Sequence, residues 1–215
     1  MLPILSRPPL INSLHERLAR EPLPGLEAHL KMAHPIRKAD PGQASDIQKE
    51  AAVLITLFEK TPGDLHLIFI RRGSSHEQDK HAGQIGFPGG KKEPSDPDMI
   101  FTALREAEEE IALDLTLIDV LGPLTPLYIN VSKFLVHPYV SFAWEPPILT
   151  RQESEIEEIL ELPLAEFRTL GVRQETRIQL STGITLNHVP CFLVNGHVIW
   201  GATAMIMNEL LEILS

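Results

Sequence analysis

The spacing of apolar positions predicts β-structure from residue 51 onwards. AAVLITLFE is typical of a strand, TPGD of a turn, and LHLIFIRR of a returning strand. LTLIDVLGPL, KFLVHPYVSFAW, RQETRIQL, HVPCFLV and HVIW are also strand-like, and Asn195-Gly196 is typical of a two-residue hairpin turn. Pro138 interrupts one of these segments, which predicts an edge strand or a bulge. EIEEILELP fits a strand or a helix, because its apolar period changes after Ile156.

Helical patterns lie at both ends of the chain. Within residues 1–50, LHERLARE, with Ser13 as its cap, and GLEAHLKMAHP predict two short helices. This segment is too short to bury a core of its own, so we expect a helical extension packed on the main domain, residues 51–215, or on the second subunit of a homodimer. ATAMIMNELLEIL predicts a closing helix whose apolar face is formed by Ala202, Met205, Ile206, Leu210 and Ile213. This order of elements fits an α/β/α sandwich around a mixed sheet.

Residues 83–113 combine a glycine-rich loop with a predicted helix. Ser95 or Asp96 can cap this helix, and Pro97 suits its first turn, where a missing N–H costs nothing. One apolar face recurs at helical spacing: Ile100, Ala103, Leu104, Ala107 and Ile111.

Three acids share the flank of this helix beside its apolar face. At about 100° per residue, Glu106, Glu109 and Glu110 fall together, and Arg105 can pair with Glu109 one turn on. Such a cluster is either a solvated acidic face or a nest of carboxylates for a hard divalent cation such as Mg²⁺. The preceding Phe-Pro-Gly-Gly run favours the cation, because Gly89 and Gly90 leave bare backbone that a phosphate or metal can approach.

Composition narrows the class of protein. The 215 residues are 43% hydrophobic and 22% charged, as in a soluble globular protein. The formal net charge of −10 argues against a nucleic-acid-binding surface. No run is long enough to span a bilayer and the N-terminus lacks a signal sequence, so we expect a cytoplasmic protein with no membrane partner. The lone Cys191 excludes an internal disulfide and is expected to be packed, as is His137.

The helix and its loop resemble the Nudix box, written GX5EX7REUXEEXGU with U aliphatic. Gly90 opens it, residues 105–110 supply REUXEE, and Leu113 closes it. The early acid is Asp96 or Glu93, with eight residues between Asp96 and Arg105, and Ala112 replaces the late glycine. The resemblance implies Mg²⁺ or Mn²⁺ held by Glu106, Glu109 and Glu110 and oriented by Arg105. It also favours a strand at EIEEILELP and a short helix at LAEF.

A longer match is similar to the coenzyme A pyrophosphatase branch of that family. HAGQIGFPGGKKEPSD followed by TALREAEEEIAL carries it, with PLPGLEAHLKMA, LTPLYINVSKFLVHPYV and IWGATAMIMNELL outside the box. The implied reaction cleaves coenzyme A or its thioesters, a small-molecule nucleotide, to 3′,5′-ADP and a 4′-phosphopantetheine product. Asp79 stands where that branch has a second arginine. Basic residues flanking the glycine loop are the candidates to bind phosphate: Arg71, Arg72, Lys80 and His81.

The catalytic base and the substrate have alternatives. Glu109 is one candidate base and Glu155, in ESEIEE, is the other, unless that acidic run is only a solvated strand end. An ADP-ribose or dinucleoside polyphosphate pyrophosphatase is the alternative enzyme. A nucleotide-binding regulatory module without chemistry and an acidic interaction protein are the alternatives from other classes. The intact REUXEE favours an enzyme, because clustered acids that destabilise a helix otherwise have no role.

Overall fold

The computed structural model describes residues 7–20, 22–39, 49–73, 83–180 and 183–215. Three short helices come first, and eleven strands and two longer helices follow, with 3₁₀ turns at Leu115–Leu117 and Glu166–Arg168. The helices are α1 (Pro9–Leu18), α2 (Gly25–Lys31), α3 (Pro35–Ala39), α4 (Met99–Ile111) and α5 (Gly201–Ile213). The strands are β1 (Lys49–Thr61), β2 (Asp64–Arg72), β3 (Ile85–Gly86), β4 (Gly89–Lys91), β5 (Ile118–Pro123), β6 (Leu127–Ile129), β7 (Phe134–Ala143), β8 (Ile156–Pro163), β9 (Arg173–Gln179), β10 (Thr185–Val194) and β11 (His197–Trp200).

Eight strands form a mixed central sheet. Its main path is β3-β2-β1-β7-β5, with β4 paired to β1, β6 to β7 and β8 to β2. The β1–β7 pairing is parallel, whereas the other pairings are antiparallel. The remaining strands form a small antiparallel sheet, β11-β10-β9, whose hairpin turns at Asn195 and Gly196, both with positive φ.

The β1–β2 hairpin opens in the middle of the central sheet. It is paired from Leu57–Leu67 to Thr61–Asp64. Beyond that point β2 pairs with β3, and residues 51–53 of β1 pair with β4. The strands β3 and β4 thus fill the opening, and the loop between them lies inside the sheet rather than at its rim. This topology places the glycine loop beneath the helix that follows it.

Helices cover both faces of the sheet, as the α/β/α sandwich requires. On one face, α4 packs Ala103, Ala107 and Ile111 against β1 and β2. On the other face, α5 and the small sheet share a larger core with residues of the N-terminal extension, among them Ile11 and Leu14. The described part of the extension therefore packs on its own chain, one of the two placements expected. Within the described ranges, no helix is both long and apolar enough to cross a membrane.

The edge-strand alternative for Pro138 is wrong, because β7 lies inside the sheet. Pro138 is opposite Val53 of β1, and β5 and β6 pair on the other side of β7. The ladder on that side is interrupted between β5 and β6, where the Pro138 carbonyl accepts a hydrogen bond of 2.9 Å from the Leu124 N–H. A residue without an N–H fits this gap between two short strands.

The starts of two helices also differ from expectation. The helix α4 begins at Met99, and its cap is Asp98, whose Oδ1 accepts the Phe101 N–H at 2.8 Å, instead of Ser95 or Asp96. Pro97 consequently precedes the helix, and Ile100 is 37% exposed rather than part of the apolar face. The helix α1 begins at Pro9 without a side-chain cap, so Ser13 lies within it.

Other expectations are confirmed. EIEEILELP forms the strand β8, and a 3₁₀ turn at Glu166–Arg168 includes the last two residues of LAEF, where a short helix was expected. The closing helix α5 buries Met205, Ile206 and Leu210. Cys191 is buried, and burial raises the pKa of its thiol, which makes a reactive thiolate harder to form.

Candidate active site

Glu110 lies almost completely inside the protein, at the C-terminal end of α4. Its residue is 2% exposed, and its Oε2 accepts the Gly89 N–H at 2.9 Å. Helical spacing explains the burial, because Glu110 follows Ala103 and Ala107 along the inner side of the helix. The glycine loop and the last turn of α4 are thereby joined directly through a carboxylate.

Both glycines of the loop make close contacts with their surroundings. A Cβ added at Gly90 would lie 2.5 Å from the Glu106 carboxyl group. At Gly89, where φ is +152°, it would lie 2.3 Å from the Ala52 carbonyl oxygen. A side chain at residue 89 would meet fixed backbone, whereas a side chain at residue 90 would displace the Glu106 carboxyl group from the main chain.

Arg105 connects the acids of the helix to the early acid of the box. Its guanidinium donates to both oxygens of Asp96 at 3.1 and 3.0 Å and to Glu109 at 2.8 Å, and it lies 3.0 Å from Glu106. Asp96 also accepts the Thr102 hydroxyl and the Glu93 N–H, both at 2.9 Å. The Arg105 hydrogen bonds hold the pKa of Asp96 well below its usual range. Asp96, rather than Glu93, therefore pairs with the box arginine, despite the extra residue between them.

The inner carboxylates are electrostatically costly to ionise. The pKa of Glu110 is raised to about 7, mainly by burial and to a smaller extent by the nearby Glu106 and Glu155, whereas the Gly89 N–H and Arg72 lower it. Burial also raises the pKa of Glu106, whereas Arg105 lowers it. A cation placed between these carboxylates would favour their charged forms.

The candidate phosphate-binding residues do not form one group in the structure. Successive side chains of a strand point to opposite faces, so Arg72 reaches Glu110, at 3.5 Å, and Arg71 points away from it. Arg71 instead donates to Glu158 and to His197 Nδ1, both at 3.1 Å. Lys80, His81 and Asp79 lie outside the described residues.

The two candidate bases occupy different environments. Glu109 is paired with Arg105, and its side chain is 55% exposed. Glu155 is exposed and lies within electrostatic reach of both Glu106 and Glu110. Sequence reasoning did not identify the main-chain contacts of residues 150–155 with the end of α4, which have no motif of their own.

The donor set suits a hard divalent cation, because the carboxylate oxygens of Glu106 lie directly against the main chain at Gly90. In the described parts of the chain, no three His, Cys, Asp or Glu side chains already converge as a metal centre. Part of the reason is that Glu109 turns towards Arg105. The metal site is consequently a proposal, taken up below.

Comparison with known proteins identifies the family. Residues 48–180 match the model of the NUDIX domain. Nudix hydrolase NudL of Yersinia enterocolitica, named as uncharacterized, is 35% identical over 82% of this chain and 87% of its own length. Chloroplastic Nudix hydrolase 22 of Arabidopsis thaliana is 37% identical over 74% of this chain and 53% of its own. A solved C. elegans Ap4A hydrolase binary complex is 15% identical with a TM-score of 0.46, covering 55% of this chain and 82% of its own.

The central sheet, the glycine loop and the acidic helix all lie within the residues that this family model matches. The chain belongs to the Nudix hydrolase family, and it is a pyrophosphohydrolase.

Proposed function

We propose that this enzyme uses Mg²⁺ or Mn²⁺ to hydrolyse the pyrophosphate of coenzyme A or its thioesters. The products are 3′,5′-ADP and 4′-phosphopantetheine, the latter carrying the acyl group when the substrate is a thioester. The observation that carries the metal-dependent reaction is the buried Glu110 beside Glu106, against a glycine loop in which Gly89 has no room for a side chain. The choice of coenzyme A is supported by the GQIGFPGGK run, which resembles that branch of the family.

The metal ligands in this proposal are Glu106, Glu109 and Glu110, with main-chain oxygen at Gly89 and Gly90. Glu109 joins them by exchanging its Arg105 contact for the cation. When bound, Mg²⁺ or Mn²⁺ supplies neutralisation of phosphate charge and acidifies a coordinated water.

The protein's own groups orient the reactants and move one proton. Arg105 holds Glu106 in place through its anchor on Asp96. Arg72, on the carboxylate face, attracts the phosphate. The oxygen of water bonds to one phosphorus, the bridging P–O bond breaks, and the other phosphate leaves with the bridging oxygen. The proton of the water passes to Glu109 or Glu155, and replacing each singly by Gln distinguishes them.

A substrate panel with product masses tests this proposal. The panel contains coenzyme A, acetyl-coenzyme A, ADP-ribose, NADH and diadenosine polyphosphates, each with Mg²⁺ or Mn²⁺. We expect 3′,5′-ADP and a phosphopantetheine product at the highest kcat/KM. Preferred cleavage of ADP-ribose or a dinucleoside polyphosphate would overturn the coenzyme A assignment. These alternative substrates should be measured first, because Asp79 stands where the coenzyme A branch has an arginine. No turnover of any member would overturn the metal-dependent proposal itself.

A further inference from the structure

The end of α4 is completed by a segment distant in sequence. Ala112, in the left-handed conformation at φ 53°, lets its own N–H and that of Leu113 bond back to Glu108 and Ala107 at 2.9 and 3.4 Å. The next free carbonyls are bonded from elsewhere. The Glu110 carbonyl accepts the Gln152 N–H at 2.9 Å, and the Ile111 carbonyl accepts the Thr150 N–H at 3.0 Å. Residues 150–152 are thus attached to the turn that carries two of the proposed metal ligands.

The same segment then turns towards the end of β2. The Gln152 carbonyl accepts the N–H groups of Glu155 and Ile156 at 3.1 and 2.8 Å. The Glu155 carbonyl accepts the Gly73 N–H at 2.6 Å. Gly73 follows Arg72, whose guanidinium reaches the Glu110 side chain. The backbone of Glu155 is therefore fixed between the two elements that provide Glu110 and Arg72.

The main-chain hydrogen bonds of residues 150–155 oppose the electrostatic repulsion between Glu155 and the acids of α4. Glu155 is exposed and carries its negative charge on a segment that is bonded directly to the Glu110 main chain. Like charges repel, so a mobile acidic loop would move Glu155 away from the acids of α4. Main-chain hydrogen bonds can hold it there, because they bond the segment without using its side chains.

We propose that Gln152 and Gly73 are positioning residues, whose main-chain N–H groups hold Glu155 at the carboxylate cluster for its role in the reaction. The inference rests on the proposed function, since it requires Glu155 to act on the substrate, its attacking water or the metal. It predicts that a small displacement of this backbone lowers kcat without changing the residues that bind the substrate.

Two substitutions displace the segment without removing a catalytic group. Gly73→Ala would place a Cβ 3.1 Å from the Glu155 carbonyl oxygen, so Glu155 must shift by a few tenths of an ångström. Gln152→Pro removes the N–H that bonds Glu110. The matched control is Gln152→Ala, which removes the side chain but keeps that N–H.

The test is kcat and KM for these variants on the preferred substrate, with circular dichroism to confirm folding. We expect a fall in kcat of about tenfold or more for Gly73→Ala and Gln152→Pro, because small misplacements of reacting groups are costly. KM should change little, and Gln152→Ala should match the wild type. A double-mutant cycle adds Gly73→Ala to Glu155→Gln, and we expect no further loss, because the first acts through the second.

Each outcome decides the question. Three results would overturn the positioning role. They are additive losses of kcat in the double-mutant cycle, a kcat of Gln152→Ala as low as that of Gln152→Pro, and a fully active Glu155→Gln. If Gly73→Ala does not fold, the Gln152 pair alone decides it. Absence of turnover by the wild type on the substrate panel would instead overturn the proposed function, and the positioning role with it.

Discussion

Two buried glutamates, one on each face of the central sheet, have opposite environments. Glu209 of α5 is 0% exposed, and Glu110 of α4 is 2% exposed. Glu209 accepts the Gly25 N–H at 3.0 Å, the Thr125 N–H at 3.2 Å, the Thr125 hydroxyl at 2.6 Å and His29 Nε2–H at 2.9 Å. Glu110 accepts the Gly89 N–H at 2.9 Å and has Arg72 at 3.5 Å.

The pKa of each carboxyl group follows from this difference. Burial alone would raise the pKa of Glu209, yet hydrogen bonds from His29 and Thr125 lower it overall. Burial raises the pKa of Glu110 to about 7, because its few donors do not compensate. A fully bonded buried carboxylate stabilises a fold, here by joining α2 of the extension to α5. An incompletely bonded one retains the capacity to bind a cation.

The largest expected effect is the loss of activity in Glu110→Gln. We expect kcat to fall by about a hundredfold or more, as for loss of a group that stabilises transition-state charge. The melting temperature without metal should not fall, because a carboxyl group that is costly to ionise has been removed. Steady-state kinetics and a thermal melt measure both quantities. Glu108→Gln, exposed on the same helix, is the matched control, and equal activity of the two variants would contradict the site.

Glu209→Ala should show the reverse pattern. It leaves buried donors at Gly25, His29 and Thr125 without an acceptor, so we expect a loss of about 3 kcal/mol or more in the free energy of unfolding. Urea denaturation measures this loss. Activity well below the unfolding transition should remain near that of the wild type. A loss below about 1 kcal/mol would show that the bonds around Glu209 contribute little.

These two sites differ in what the sequence revealed. Glu106, Glu109 and Glu110 could be identified because clustered acids at a helix C-terminus oppose local stability and so indicate a function. Glu209 gave no such signal, because its partners Gly25 and Thr125 lie 184 and 84 residues away in the chain. Contacts at that separation depend on tertiary packing rather than on a local pattern.

The fold shows the same difference between features that a local pattern predicts and features that depend on tertiary packing. Alternating apolar positions predicted the strands, and Asn195-Gly196 predicted the hairpin, since both signals are local. The interior position of Pro138 depended on two short strands meeting beside it, and the cap at Asp98 depended on the buried pairing of Asp96 with Arg105. The spacing of residues in the sequence therefore predicted neither the interior position of Pro138 nor the cap at Asp98.

The pH dependence of stability should separate Glu209 from an ordinary surface acid. Its pKa is lowered in the folded state, so its contribution is present above the unfolded value, about 4.3, and is lost as pH falls through the folded value. The stability difference between the wild type and Glu209→Gln should therefore be constant near neutrality and narrow in acid. Urea denaturation across this range measures it. A difference that widens as pH falls would contradict this assignment.

The smallest effect is expected at the exit of α4. Ala112 has φ 53°, a conformation that costs an alanine roughly 1 kcal/mol. Ala112→Gly should raise the free energy of unfolding by up to about 1 kcal/mol in urea denaturation. Gly171→Ala, at φ 84° with nothing within 4 Å of the added Cβ, should lower it by a similar amount. If both substitutions changed the free energy of unfolding in the same direction, backbone strain would not explain the effects at Ala112 and Gly171.

Manganese binding tests most directly whether the incompletely bonded glutamate marks the metal site. Electron paramagnetic resonance of free Mn²⁺ gives the dissociation constant for the wild type, Glu110→Gln and Glu209→Gln, each confirmed as folded. We expect Glu110→Gln to weaken binding by about tenfold or more, because loss of even a partner of a metal ligand costs about that much, and Glu209→Gln to leave binding unchanged. Equal binding by all three proteins would contradict the account.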